Sequence, residues 1–212
     1  GTHGKTTTSA IISHLFYSSG IQFKAFIGGI MKCFDSNFIN TGNDYIIVEA
    51  DEYDRSFLNL NPNYAVITSI ESDHLDIYGD FKSLTESFQS FTDNVKNVLI
   101  TDAEIDIYKD FSFSIKSDSD YYINNIKIIE NGIRFDLKTP NNFYTNISAN
   151  IIGLHNLKNV LAALSIIDQI KEIDIQNLFP FLSNFQGIER RMDIYKLDNK
   201  VVIDDYAHHP TE

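Results

Sequence analysis

Basic residues are in short supply. The 212-residue sequence holds 17 Lys and Arg against 29 Asp and Glu, a formal net charge of −12. Such a chain repels phosphodiester backbones, which argues against a nucleic-acid partner. It does not exclude a nucleotide, because a local loop and a metal ion override the global field where they stand. Cysteine is scarcer still. Cys33 is alone, so no disulfide forms within the chain and no cysteine cluster holds a metal. Apolar runs near the roughly 20 residues of a membrane span are missing, as is a basic leader ahead of an apolar stretch. We expect no membrane partner and a cytoplasmic location; no pattern speaks to oligomeric state. What remains is ordinary globular material, 43% hydrophobic and 22% charged, long enough to bury a sizeable core.

The chain alternates strands and helices. Residues 4–19 show apolar spacing for a helix, with Gly20 as its C-terminal stop. "AFIGG" (25–29) reads as a short strand entering a glycine turn. "DYIIVEAD" (44–51) and "YAVITSI" (64–70) read as buried parallel strands that break into acids. Residues 80–94 form an amphipathic helix that starts near Asp80 and turns Phe81, Leu84, Phe88 and Phe91 to one side. "NVLI" (97–100) is a further strand. Residues 111–148 are short, aromatic and alternating, and read as an antiparallel insertion or edge. Helix signals return at 156–170 and 174–183, and two short strands follow around "DNK" (198–200). The fold class is therefore α/β: a mostly parallel sheet flanked by helices, with a small antiparallel β subregion. A boundary falls near residue 190, after "FQGIERR".

Chemistry begins at "GTHGKTTT" (1–8). G-x-x-G-K-T is a compact phosphate loop. Its glycines let backbone N–H groups turn toward an anion at a helix N-terminus. Lys5 supplies a mobile positive charge, and Thr6 a hydroxyl for Mg²⁺. The alternative is a plain helix start capped by threonines. In an open parallel sheet, ligands sit beyond the carboxyl ends of the strands. Glu49 and Asp51 emerge there from one predicted strand, Asp73 and His74 from another. Glu49 is a hard oxygen ligand suited to Mg²⁺; His74 is a less usual one. Each could be a solvated loop residue if taken alone. Two such clusters beside a phosphate loop point to function.

"GTHGKTTT", "EADEYDRSFL", "ESDHLDIYGD", "GLHNLKNVLAAL", "FQGIERRMD" and "DDYAHHPTE" occur in this order with sensible gaps. Together they resemble the Mur ligase family of peptidoglycan synthesis, across the whole chain. The resemblance implies an ATP- and Mg²⁺-dependent amide ligase with three domains. Residues 1–190 would be its central ATP-binding domain and 191–212 the start of the C-terminal one. The strand leading into the phosphate loop, and the domain holding the UDP-sugar, would lie outside this chain, which on that expectation does not complete the reaction alone. The resemblance places ATP against Gly1, Thr2, His3, Gly4, Lys5, Thr6 and Thr7. It places Mg²⁺ on Thr6, Glu49 and His74, and catalysis on Lys5, Glu49, His74 and Arg191. His155, Asn156 and Asn159 match an adenine-contacting "HN..N" motif; a helix start with a polar cap reads the same way. Arg191 matches an arginine that meets the γ-phosphate, with Arg190 beside it, and Asp205 an acid near the ribose. His208 and His209 match a hinge-side "HHP".

Several family branches carry a carboxylated lysine where this sequence has Phe88. That departure favours the alanine-adding branch, whose full-length substrates would be UDP-N-acetylmuramate and L-alanine. A ligase attaching a recycled tripeptide to the same sugar nucleotide, and a folylpolyglutamate-synthase-like ligase, stand as alternatives. A non-catalytic nucleotide-binding module is a third, but it would not need Glu49, His74 and Arg191 together.

Overall fold

The computed structural model describes residues 1–71, 78–198 and 200–207. The expectations placed on Asp73, His74, His208 and His209 lie outside the described residues.

Helix α1 (Lys5–Ser18) buries Ala10, Ile11, Leu15 and Phe16. It stops at Gly20, whose φ of +75° allows its N–H to donate to the Tyr17 carbonyl at 3.1 Å. Strand β1 (Phe23–Met31) then pairs antiparallel with β2 (Ser36–Asn40) and parallel with β3 (Tyr45–Val48). Two expectations fail here. The strand does not end in a glycine turn; it runs through Gly28 and Gly29. Those glycines admit close neighbours. A Cβ on Gly28 would stand 2.6 Å from Glu49 Oε1, and one on Gly29 2.9 Å from Ile188 Cγ2. Strand β3 is parallel as expected but not buried. It is the edge of its three-stranded sheet among the described residues. Tyr45 and Ile47 pack on the larger core, while Ile46, 67% exposed, and Val48 lie on the other face with the exposed Phe26 of β1.

The larger sheet has six strands in sequence order: β4 (Tyr64–Ile67), β5 (Val98–Asp102), β6 (Phe111–Ser114), β7 (Tyr121–Ile129), β8 (Gly132–Lys138) and β9 (Phe143–Ala149). It is parallel from β4 to β7, then antiparallel to β9. The antiparallel character expected for 111–148 is thus confined to the β7–β9 meander, and β6 continues the parallel sheet. Alternation along the strands builds two cores. Ile100 faces a larger core with α1 and helix α3 (Leu154–Asp168). Ala65, Ile67 and Leu99 face a smaller one with helix α2 (Phe81–Thr92).

Asp80 caps α2 by accepting from the Ser83 N–H at 2.7 Å. Leu84, Phe88 and Phe91 are buried, while Phe81, at the helix's first residue, stays exposed. Phe88 packs on Phe57 with ring centroids 5.1 Å apart, a core residue with no polar role. A 3₁₀ turn (Ile175–Leu178) and the short helix α4 (Phe179–Leu182) lead into the segment 183–192. Strands β10 (Asp193–Leu197) and β11 (Lys200–Asp204) form a separate hairpin. Among the described residues, no helix is long and apolar enough to cross a membrane.

Candidate functional site

A cavity of about 530 Å³ opens beyond the carboxyl ends of β3 and β4. The loop ahead of α1 forms its floor and is stapled to the end of β4. Thr2 N–H donates to the Ser69 carbonyl at 3.0 Å, His3 N–H to Ser69 Oγ at 2.8 Å, and Glu71 N–H to Thr2 Oγ1 at 3.0 Å. Gly4 turns the chain at φ +82°, and any Cβ there would collide with Asn159 Oδ1. Helix α1 therefore starts without a side-chain cap and without an acid in its first turn. The threonines therefore do not cap it. Its first-turn N–H groups and partial positive charge are left for an anion.

Glu49 follows β3 directly, its N–H donating to the Phe26 carbonyl at 2.9 Å. Gly28 N–H donates to Glu49 Oε2 at 2.5 Å, and Thr6 Oγ1 donates to Glu49 Oε1 at 2.9 Å. Two hard oxygens, a hydroxyl and a carboxylate, thus sit side by side at the head of α1. Among the described residues, no three His, Cys, Asp or Glu gather to hold a metal. The donor set fits Mg²⁺ that arrives with phosphate and keeps water, rather than a dedicated protein cage.

The opposite wall comes from α3. His155, Asn156, Lys158 and Asn159 all line the cavity. Asn156 Nδ2 donates back to the Ile152 carbonyl at 2.9 Å and Asn159 Nδ2 to Asn156 Oδ1 at 3.4 Å. Gly153 takes the cap position with no side-chain cap bond, so the polar side chains at this helix start are not cap residues. Lys158 Nζ stands 2.6 Å from Asp102 Oδ2 at the end of β5, which ties the N-terminal part of α3 to the sheet.

The roof is the segment 183–192. Lys32 N–H donates to the Gly187 carbonyl at 3.3 Å and Glu189 N–H to the Ile30 carbonyl at 3.0 Å. Lys32 also forms an ion pair with Asp193. This zipper along β1 carries Arg191 over the cavity. Arg190 and Arg191 both lie against the Tyr206 ring, 5.1 and 5.7 Å from its centroid. Asp205 accepts from Met192 N–H at 3.1 Å and Ala207 N–H at 2.9 Å, which folds the turn.

The structure therefore gathers Thr2, His3, Gly4, Lys5, Thr6, Thr7, Glu49, His155, Asn156, Asn159, Arg191 and Asp205 around one cavity, with Asp51 at its rim. Gly1 lies beside Thr68 and Ser69, where a Cβ would come within 2.7 Å. Sequence reasoning missed Gly28, Tyr53, Lys158 and Tyr206, which also line it. It missed Glu52 too, which holds Lys5: Nζ donates to Oε1 at 3.0 Å and Oε2 at 2.9 Å.

An α/β domain with a G-x-x-G-K-T loop at the mouth of its sheet is the class these features define. Residues 1–167 match the Mur ligase middle domain, and the chain belongs to that family. A UDP-N-acetylmuramate–L-alanine ligase of Christiangramia forsetii is 45% identical over 100% of this chain and 47% of its own length. A ligase of the same name from Flavobacterium psychrophilum is 43% identical over 100% of this chain and 48% of its own. The crystal structure of the UDP-N-acetylmuramate–alanine ligase of Thermotoga maritima superposes with a TM-score of 0.88 at 29% identity, covering 100% of this chain and 50% of that one. The chain spans about half the length of the curated relatives it matches.

Proposed function

We propose that this chain is the ATP-binding core of a ligase that joins L-alanine to UDP-N-acetylmuramate through an acyl phosphate. The observation that carries the reading is the convergence of Lys5, the Thr6–Glu49 pair and Arg191 on one cavity at the sheet mouth. The similarity to named L-alanine ligases supports these substrates.

In this reading the first-turn amides of α1 and Lys5 hold the β- and γ-phosphates. Arg191 approaches the γ-phosphate from the side of the segment 183–192. His155, Asn156 and Asn159 take the adenine, and Asp205 the ribose. Thr6 and Glu49 would hold Mg²⁺, with His74 as a further ligand; when bound, the ion neutralises charge on the transferred phosphoryl group. The sugar-linked carboxylate attacks the γ-phosphorus and ADP leaves. The amine of L-alanine then attacks the acyl carbon, loses a proton, and expels phosphate from the tetrahedral intermediate. The chain's own contribution is position and charge, which is most of what phosphoryl transfer requires.

Residues 1–190 serve as the central domain and 191–212 as the opening of the next one, which the separate β10–β11 hairpin supports. The reaction belongs in the cytoplasm, where ATP and nucleotide sugars are available. An isotope experiment tests the route in an enzyme that carries this chain at its relatives' full length. With ¹⁸O in the muramate carboxylate, one labelled oxygen is expected in the released phosphate. Unlabelled phosphate alongside amide product would rule out the acyl phosphate.

A further inference from the structure

Lys5 is already fully engaged. Its ammonium group has three hydrogens. Three acceptors meet them: the Thr2 carbonyl at 3.3 Å, Glu52 Oε1 at 3.0 Å and Glu52 Oε2 at 2.9 Å. Asp51 Oδ1 stands at 3.7 Å. The Glu52 side chain is 1% exposed and that of Lys5 18%, so water does little to weaken the pair. Glu52 is itself anchored. Its backbone carbonyl accepts from the Tyr78 hydroxyl at 2.5 Å and the Arg55 N–H at 3.0 Å. Burial, with the Glu52 charge behind it, pushes the Tyr78 hydroxyl above its ordinary range and keeps it a donor. The Arg55 guanidinium covers the Tyr78 ring at 5.2 Å.

A phosphate oxygen can reach Lys5 only if one of these bonds is given up. Thr2 offers a neutral carbonyl within the loop itself. Glu52 offers a charged, two-oxygen grip from a different segment, and it can release one oxygen while keeping the other.

We infer that Glu52 is a positioning residue which holds the phosphate-loop lysine at rest and competes with the nucleotide for it. The inference rests on the reading of Lys5 as a phosphate ligand. In operation the Lys5 ammonium keeps one bond to Glu52 and turns another hydrogen onto phosphate. The competition lowers nucleotide affinity in the ground state, and the retained bond keeps Lys5 aimed during transfer. The first effect shows in binding and the second in turnover, so the two separate.

The test uses an enzyme carrying this chain at its relatives' full length. ADP binding is measured by calorimetry with and without Mg²⁺, and ATP turnover by phosphate release. Glu52→Gln should tighten ADP roughly five- to tenfold in chelator, the scale of one charge-assisted hydrogen bond exchanged. It should lower KM for ATP and lower kcat with it, a split that plain loss of structure does not produce. Glu52→Asp keeps the charge but shortens its reach. It should move affinity the same way by less, and it carries the test if the glutamine variant does not fold. Lys5→Ala separates the two layers. If it abolishes ADP binding while Glu52→Gln leaves affinity unchanged or weaker, the inference fails and the phosphate-loop reading stands. If Lys5→Ala leaves ADP binding intact, both fail.

Discussion

The Thr6 hydroxyl donates to Glu49 Oε1 at 2.9 Å, and Glu49 Oε2 accepts the Gly28 N–H at 2.5 Å. One carboxylate thus joins the head of α1 to the middle of β1. With Thr6, it is also the group proposed to hold Mg²⁺. Glu49→Gln keeps the shape and removes the charge. Turnover should fall on the order of 10²-fold, as for the loss of one preorganised electrostatic contact. Thr6→Val should fall by a similar factor. The Mg²⁺ dependence of ATP turnover checks both, and each variant should need more Mg²⁺ for half-maximal rate.

Gly28 and Gly4 both leave room for a neighbour. Gly28→Ala would set a methyl 2.6 Å from Glu49 Oε1 and must displace that carboxylate. Turnover should drop at least about tenfold with little change in folding, because β1 accepts alanine elsewhere. Gly4→Ala meets two penalties: φ +82° and the collision with Asn159 Oδ1. It should cost on the order of 1–3 kcal/mol in urea unfolding and also reduce nucleotide binding.

The pair at the end of β5 makes a stability prediction. Asp102 is 4% exposed in its side chain and Lys158 28%. Breaking a fully buried pair costs about 3–5 kcal/mol. The partial exposure of Lys158 lowers the expected cost of Lys158→Met to roughly 2–3 kcal/mol. Asp102→Asn combined with Lys158→Met should be milder than the lysine change alone, because no buried charge is left unpaired. Urea midpoints of the single and double variants measure this.

His14 sets an acid limit. Its Nε2 lies 2.8 Å from the Phe181 carbonyl and its ring meets Phe185 edge-on at 5.5 Å. Burial lowers its pKa from the ordinary 6.5, with the carbonyl pulling weakly the other way. Above pH 6.5 it is neutral in both folded and unfolded chains and costs nothing. As pH falls below 6.5 the unfolded chain takes up the proton first, so stability is lost until the lower folded value is passed. His14→Gln should flatten the fall in urea midpoint between pH 7 and pH 5 relative to the native chain.

Much of the site could be read in the sequence because its residues come in local motifs. "GTHGKTTT" and "GLHNLKNV" each place a polar cluster beside a helix start, and both reach the cavity. Other features could not be read because they depend on partners far along the chain. A glycine pair in "FIGG" reads as a turn; only the fold shows that Gly28 makes room for Glu49, 21 residues later. Glu52 stands among four acids in "EADEYD", and the sequence cannot say which of them turns inward to Lys5. Lys158 carries no signal of its own in the sequence; its ion pair needs Asp102, 56 residues earlier at the end of β5. The apolar run at 44–51 reads as a buried parallel strand, but run composition does not say which faces of a sheet are covered. Only one face of β3 packs on a core, through Tyr45 and Ile47, so Ile46 and Val48 are exposed. Phe111 and Phe113 look like part of an alternating β-meander, yet β6 pairs parallel with both neighbours.

In the proposed function, ATP held at this cavity drives amide formation between a muramate carboxylate and L-alanine. Phosphate release from ATP tests it most directly, in an enzyme carrying this chain at its relatives' full length. UDP-N-acetylmuramate and L-alanine are added singly and then together. Sustained release is expected only with both, matched one-to-one by amide product and lost in Lys5→Ala. Release that is indifferent to either substrate, or ATP binding with no substrate-dependent turnover, would contradict it.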